Sequence, residues 1–261
     1  MKYRKTLIAG IIISFGLLGT FASASHSWGP YHWARKSNPF TLKLGDNVNT
    51  AWDAYLGVAS SDWSTSSVLD TTIVTGQAKG NCRPTKGRVE ACNKAYGYNG
   101  WLGLAQIWVS GVHITQAVVK VNDTYHNLPP YNTPAWKQFV MCQEVGHTFG
   151  LDHQDETFSN SNLGTCMDYT NDPDGTLYNQ LSNLHPNAHD YEELATIYAH
   201  LDSITTIGQT IAHGNGNQNP DVSELKEWGK EIRKASDGRG SLYERDLGWG
   251  NKVFTFVIWV R

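Results

Sequence analysis

The residues with the clearest chemical content are Gln143-Glu144-Val145-Gly146-His147-Thr148-Phe149-Gly150-Leu151-Asp152-His153. Residues 143 and 147 are four apart, so on a helix they project from one face, one turn from each other, with Glu144 beside them. Gly150 can break the helix in a left-handed conformation, which lets the chain double back and bring His153 to the same point. Gln143, His147 and His153 then surround one position, and a carboxylate stands next to a fourth. Such an open set suits one catalytic zinc ion, which lowers the pKa of a bound water to about neutrality while Glu144 takes its proton as general base. An amide oxygen is a poorer zinc ligand than imidazole, so three outcomes stand at Gln143. It ligates in a weaker site, a water or another side chain completes the sphere, or the position holds no metal.

The elements that must position these groups are legible around them. Thr133 followed by Pro134 is a helix start and Gly150 a stop, so Ala135 to Phe149 should be one helix. Pro39 to Leu44 alternates as a strand, and Val48, Trp52, Leu56, Ala59 and Trp63 recur at helical spacing behind Asp46 or Asn47 as cap. Further strands are expected near Val68 to Thr75, Leu102 to Val109 and Ile114 to Val121, with Gly111 turning the last two. Asp152 to Gln180 reads as a long irregular segment, and His189 to Leu201 returns to helical period. Gly214 to Pro220 is linker-like; Asp221 with Glu224 suits a capping box for a short helix through Leu225, Trp228 and Ile232, and Val253 to Val260 closes the chain as a strand.

The 143–153 stretch resembles the extended zinc signature of the metzincin metallopeptidases, HExxHxxGxxH, at Glu144, His147, Gly150 and His153, with Gln143 at the first histidine position. Cys166-Met167-Asp168-Tyr169 resembles the Met-turn of that clan, and the run from Leu184 to Tyr191 looks most like a matrixin. The resemblance covers roughly residues 28 to 203. It implies an α+β fold with a twisted sheet over an active-site helix, and a Met-turn and late helix below the cleft. It also implies zinc-dependent hydrolysis of peptide bonds in peptide or protein substrates, and a weak role for Tyr169 near the metal, since the Met-x-Tyr spacing is closer to astacins and serralysins.

The ends of the chain set the compartment. Met1 to Lys5 carries three cations, Thr6 to Phe21 is almost unbrokenly apolar, and Ala22-Ser23-Ala24 offers a signal-peptidase site, so residues 1–24 read as a signal peptide. The product is expected to be secreted, as a monomer without stable membrane association after cleavage. Cys82, Cys92, Cys142 and Cys166 fit two disulfides with three pairings. Cys82 with Cys92 is the local choice, leaving Cys142 with Cys166 to tie the site helix to the Met-turn, at a loop-entropy contribution of roughly 3 kcal/mol. No cysteine lies between residue 24 and the first strand, so latency through a cysteine-bearing propeptide, usual in animal matrixins, is not expected. A net charge of −3 with scattered Lys and Arg leaves no basic face for nucleic acid. Residues 25–205 are read as the catalytic domain, and 206–261 as an extension without an assigned role.

Other candidates have plainer readings. His113 and His126 lie on or beside strands, where a lone His is more often structural than a ligand. His185 and His189 suit the start of the late helix. Asp155 either orients a metal-ligand His or accepts backbone bonds in a turn. Asp168, Asp172 and Asp174 with Asn171 offer oxygens for a structural calcium ion, yet Asp-Pro-Asp-Gly is first a turn signature. Asn122-Asp-Thr is a glycosylation sequon, and most of the ten Trp should be core. The competing class is a catalytically weak or inactive secreted protein that keeps the cleft to bind peptide or protein. A disulfide-stapled cell-surface structural domain leaves the signature unexplained.

Overall fold

The computed structural model describes residues 26–78, 80–209, 222 and 224–261. Residues 1–24, read as a signal peptide, the linker-like 214–220 stretch and Asp221 lie outside the described residues. Among the described residues no helix is long and apolar enough to cross a membrane.

In chain order the elements are β1 (His32–Trp33), β2 (Phe40–Asn47), α1 (Asp53–Trp63), β3 (Leu69–Thr75), β4 (Val89–Lys94), β5 (Trp101–Ser110), β6 (His113–Asn122), α2 (Asp123–His126), α3 (Pro134–His147) and α4 (Ala188–Ile197). A 3-10 turn at Leu225–Glu227 then leads to β7 (Lys230–Lys234), β8 (Gly240–Gly248) and β9 (Asn251–Trp259). Among the described residues all nine strands join one sheet, ordered β3-β2-β4-β6-β5-β9-β8-β7, with β1 pairing the start of β6. The half from β3 to β6 is parallel, and everything from β5 to β7 is antiparallel.

Alternation in β9 sends Phe254, Phe256 and Ile258 toward the core that contains α1 and α3, and Val253 and Val257 toward a smaller core with Trp101, Trp108 and Trp228. The Cys82–Cys92 disulfide belongs to that second core, and Cys142–Cys166 is the other bridge, as the local-pairing argument anticipates.

Several sequence expectations need correction. Asp46 and Asn47 do not cap α1, because β2 runs on through Asn47, whose amide donates to Glu90 Oε2 at 2.6 Å. Val89–Lys94 is a strand rather than part of a cystine loop, since parallel pairing with β2 and β6 buries its first four residues. Ile232 lies in strand β7, not a helix, and α4 stops at Ile197, short of Leu201. The region after residue 206 adds three strands to the β5 edge of the sheet.

His126, at the end of α2, packs edge-on against Trp52 with ring centroids 4.9 Å apart, and its Nδ1 meets the Tyr131 carbonyl at 3.2 Å. Burial pushes its pKa down to about 4, and the nearby Lys137 charge acts in the same direction. A histidine held neutral in the folded state stabilises fully above its unfolded value of about 6.5, and that stability is lost as pH falls toward the folded value. Urea midpoints should therefore fall between pH 6.5 and 4 by an amount equivalent to about 3 kcal/mol, and His126→Gln should flatten that slope. An unchanged slope in the variant would show that His126 is not the group responsible.

Candidate metal centre

Helix α3 starts where Thr133 accepts a hydrogen bond from Trp136 N at 3.3 Å, with Pro134 in the first turn. At its other end the carbonyls that lack helical partners are taken by buried side chains. Trp28 Nε1 donates to His147 O at 3.3 Å, Trp33 Nε1 to Thr148 O at 2.8 Å and the Tyr198 hydroxyl to Phe149 O at 2.8 Å. Part of the Trp content is thus explained by fixing the end of this helix. Gly146 is required by packing: a Cβ there would lie 2.6 Å from both Met167 Sδ and the Trp63 ring. Gly150 has φ +103°, and a Cβ would meet the Tyr31 carbonyl at 2.7 Å, so the turn that returns the chain to His153 depends on glycine.

These constraints bring His147 and His153 together. Their Nε2 atoms are 2.9 Å apart and their rings are nearly perpendicular, at 89°. His147 Nδ1 lies 2.9 Å from the Leu151 carbonyl, which only accepts, so Nδ1 carries the proton and Nε2 a lone pair. His153 Nδ1 lies 2.6 Å from Glu156 Oε1, which places its proton there by the same reasoning. Two lone pairs then face each other, an arrangement that a cation between them relieves. Burial drives the His147 pKa well below the usual imidazole value, and the nearby His153 and Arg233 add to this, so a shared proton is disfavoured.

The other two predicted groups are also starved of partners. Gln143 is wholly buried; its Nε2 donates to Cys166 O at 2.9 Å, and its Oε1 has no hydrogen-bond partner. Glu144 is 1% exposed, both its carboxylate oxygens are unpartnered, and burial raises its pKa well above the usual range. Its side chain packs against β5 at Gly103, where a Cβ would be 3.1 Å from Glu144 Oε1. The facing imidazole lone pairs of His147 and His153 are donors of the kind a zinc-type cation takes, and Gln143 and Glu144, on the same helix as His147, carry buried acceptors without hydrogen-bond partners; the mutually close acid-and-imidazole group at this place is Asp152, His153 and Glu156.

Sequence reasoning missed the groups that surround this pair. The carboxylate that orients His153 is Glu156, whereas Asp155 accepts from Thr157 N in a turn. Burial pushes the Glu156 carboxyl up, but the His153 hydrogen bond and charge, with Arg233 and Ser241, outweigh it and hold the pKa below its ordinary value. Arg233, from β7, reaches Glu156 Oε1 at 3.0 Å and is paired with Asp152. Phe256, from β9, stacks on His147 with centroids 4.0 Å apart at 12°. Tyr169 lies 4.4 Å from the His153 ring, and its hydroxyl donates to the Val257 carbonyl at 3.1 Å. Burial raises the Tyr169 pKa well above its ordinary value, with Glu156 and Glu144 adding to it. The C-terminal strands therefore roof the site. Their contacts join positions some eighty to a hundred residues apart, and no spacing rule announces them.

The remaining candidates have structural partners. His185 pairs with Asp62 at 2.7 Å, and His189 meets Gln154 at 2.7 Å while stacking on His26. Asp172 accepts from the backbone of Leu177 and Tyr178, Asp174 from Thr176, and Asp168 from Leu163 N and Asn183, so these acids organise their own loop. Asn122 is wholly buried and donates to the Gly97 and Trp101 carbonyls, which closes the sequon to glycosylation in the folded chain.

No family model and no curated protein matches the chain. Among solved structures it is similar to high choriolytic enzyme 1, a hatching-enzyme zinc protease from the medaka Oryzias latipes. The TM-score is 0.35 and the identity 8%, over 64% of this chain and 94% of that chain. A likeness at that level bears on neither the fold nor the site.

Outer hydrogen bonds that fix a ligating imidazole are worth about tenfold to a hundredfold in metal affinity. Glu156→Ala should weaken zinc binding by a factor in that range in competition with a chromophoric chelator, while the far-ultraviolet spectrum stays unchanged. Unaltered affinity would remove Glu156 from the site.

Proposed function

We propose that the chain is an exported zinc-dependent endopeptidase in which Gln143, His147 and His153 hold the metal and Glu144 is the general base. The observation that carries this reading is the buried pair of imidazole nitrogens, each with its other nitrogen committed as a donor and its lone pair turned to the other. A bound zinc ion supplies the Lewis acidity that polarises a peptide carbonyl and acidifies water. Glu144, once ionised against the burial that raises its pKa, would accept the water proton and return it to the leaving amine; its two oxygens have no hydrogen-bond partners. Tyr169, against His153, offers a hydroxyl donor once that group leaves the Val257 carbonyl. Phe256 stacks on His147 and the Val257 carbonyl holds the Tyr169 hydroxyl, so β9 covers this side of the pair.

The second reading is a non-catalytic secreted protein that binds peptide or protein, and the burial of Glu144 bears on it only by limiting substrate access to the base. Zinc content and cleavage of a mixed peptide library by the mature chain separate the two. Glu144→Gln should leave zinc in place and reduce cleavage by at least about a hundredfold, because an amide cannot take the proton. Zinc without any cleavage supports the binding protein, and retained cleavage in Glu144→Gln removes this residue as the base.

Gln143→His tests the departure from the zinc signature. If Gln143 occupies a ligand position, an imidazole there should tighten zinc about tenfold or more, equivalent to about 1.4 kcal/mol. Unchanged or weaker binding in a zinc titration would take residue 143 out of the ligand set.

A further inference from the structure

We propose a second zinc-type site, built from His32, His113 and Asp202 with His200 as fourth donor, distinct from the His147–His153 centre. Three segments distant in sequence meet there. His32 lies in β1 and stands in register with His113 at the start of β6, while His200 and Asp202 follow α4. The backbone locks this meeting: Asp202 N donates to Arg35 O at 2.9 Å and Thr206 N to Ala34 O at 3.0 Å.

The donor atoms converge. Asp202 Oδ1 is 3.4 Å from His32 Nε2, 3.2 Å from His113 Nε2 and 3.8 Å from His200 Nε2, and the His32 and His200 Nε2 atoms are 3.1 Å apart. The ligand atoms of His32, His113 and Asp202 all lie within 4.8 Å of one another. Zinc–nitrogen bonds of about 2.0–2.1 Å in a tetrahedron place neighbouring ligand atoms roughly 3.3 Å apart, close to these separations. His200 stands near His32 and Asp202 but outside that mutually close trio, and its side chain, 55% exposed, would have to swing in to complete the set.

Hydrogen bonding turns the lone pairs inward. His32 Nδ1 is 2.8 Å from the Pro30 carbonyl, so its proton sits on Nδ1 and Nε2 presents a lone pair. That lone pair faces a carboxylate oxygen, and two acceptors at 3.4 Å call for a cation between them. Asp202 Oδ2 is already engaged by Arg35, through Nη1 at 2.9 Å and the backbone N at 3.2 Å, which leaves Oδ1 for the cluster. Arg35 is itself 1% exposed and donates to the Tyr198 carbonyl at 2.8 Å. This is the outer layer that fixes the ligands of a metal centre. Three imidazoles and one carboxylate favour zinc over calcium or magnesium, and four protein donors leave no open position, so the site would fasten β1 and the segment after α4 to the sheet.

The test uses the full mature chain carrying His147→Ala and His153→Ala, so that only the second site remains. After loading with zinc and gel filtration, elemental analysis should find one zinc per chain, against two in the wild type, and none once His113→Ala is added. Cobalt substituted into the double variant should give the visible bands of a tetrahedral ion, and a hundredfold excess of zinc over its Kd should raise the Tm by several degrees, a shift that His113→Ala abolishes. If the double variant does not fold, His113→Ala in the wild type carries the test, and stoichiometry should drop from two to one. One zinc that survives His147→Ala but not His113→Ala would support this site while removing the first. A wild type with no zinc, or with a single zinc lost on His147→Ala and kept on His113→Ala, would overturn the proposal and leave a proton-bridged network.

Discussion

The His147 and His153 Nε2 atoms, 2.9 Å apart and shut away from water, impose the constraint around which the molecule is organised. Left alone, two imidazole rings separate or share a proton; neither is cheap here, because each ring is tethered through its Nδ1 and burial opposes the extra charge. The approach persists because covalent and steric elements over-determine it. Cys142–Cys166 ties α3 to the segment before Met167, Gly146 lets Met167 press on the helix, and Gly150 turns the chain within reach of Tyr31. Each acts on a different side of the same few residues, so relaxing the pair requires several of them to give way together.

The C-terminal strands act on this centre in two ways. By pairing with β5 they remove what would otherwise be an exposed antiparallel edge of the sheet directly beside α3, and an open edge is a template for unwanted pairing. Through Phe256 and the Val257 carbonyl they also close the roof over His147 and Tyr169. The closed form is thus held by backbone pairing as well as by aromatic packing.

Local signals were legible in the sequence and contacts between distant segments were not. Thr133-Pro134 and Gly150 bounded α3 because capping and left-handed turns are properties of a few consecutive residues. The strands at Phe40, Leu69, Trp101 and His113 followed from alternation or apolar runs, but β4 was hidden because Val-Glu-Ala-Cys has no period of its own and owes its state to neighbours on both sides. Glu156 could not be told from Asp155, since which acid reaches His153 depends on a turn geometry. His113 read as a lone histidine because its neighbours, His32 and Asp202, lie about eighty to ninety residues away in either direction. The C-terminal strands were foreseen only in part, for β9, because β7 is mostly exposed and carries no apolar run.

Glu156 joins the metal centre to its roof. One of its oxygens receives both His153 Nδ1 and Arg233 Nε, and the other receives the Ser241 hydroxyl. Arg233 and Ser241 belong to the C-terminal strands, so the carboxylate that orients His153 is shared with the segment that covers it. Without Arg233 and Ser241, Glu156 would keep only one of these three donors and would turn fully to His153, making that imidazole a more basic ligand. A cation at His147 and His153 would draw on the same carboxylate and so weaken its hold on Arg233. By reciprocity, the free energy with which a cation loosens the roof equals that with which an open roof strengthens the cation. Glu156 is therefore the one side chain through which cation binding at His153 and the packing of the C-terminal strands would act on each other.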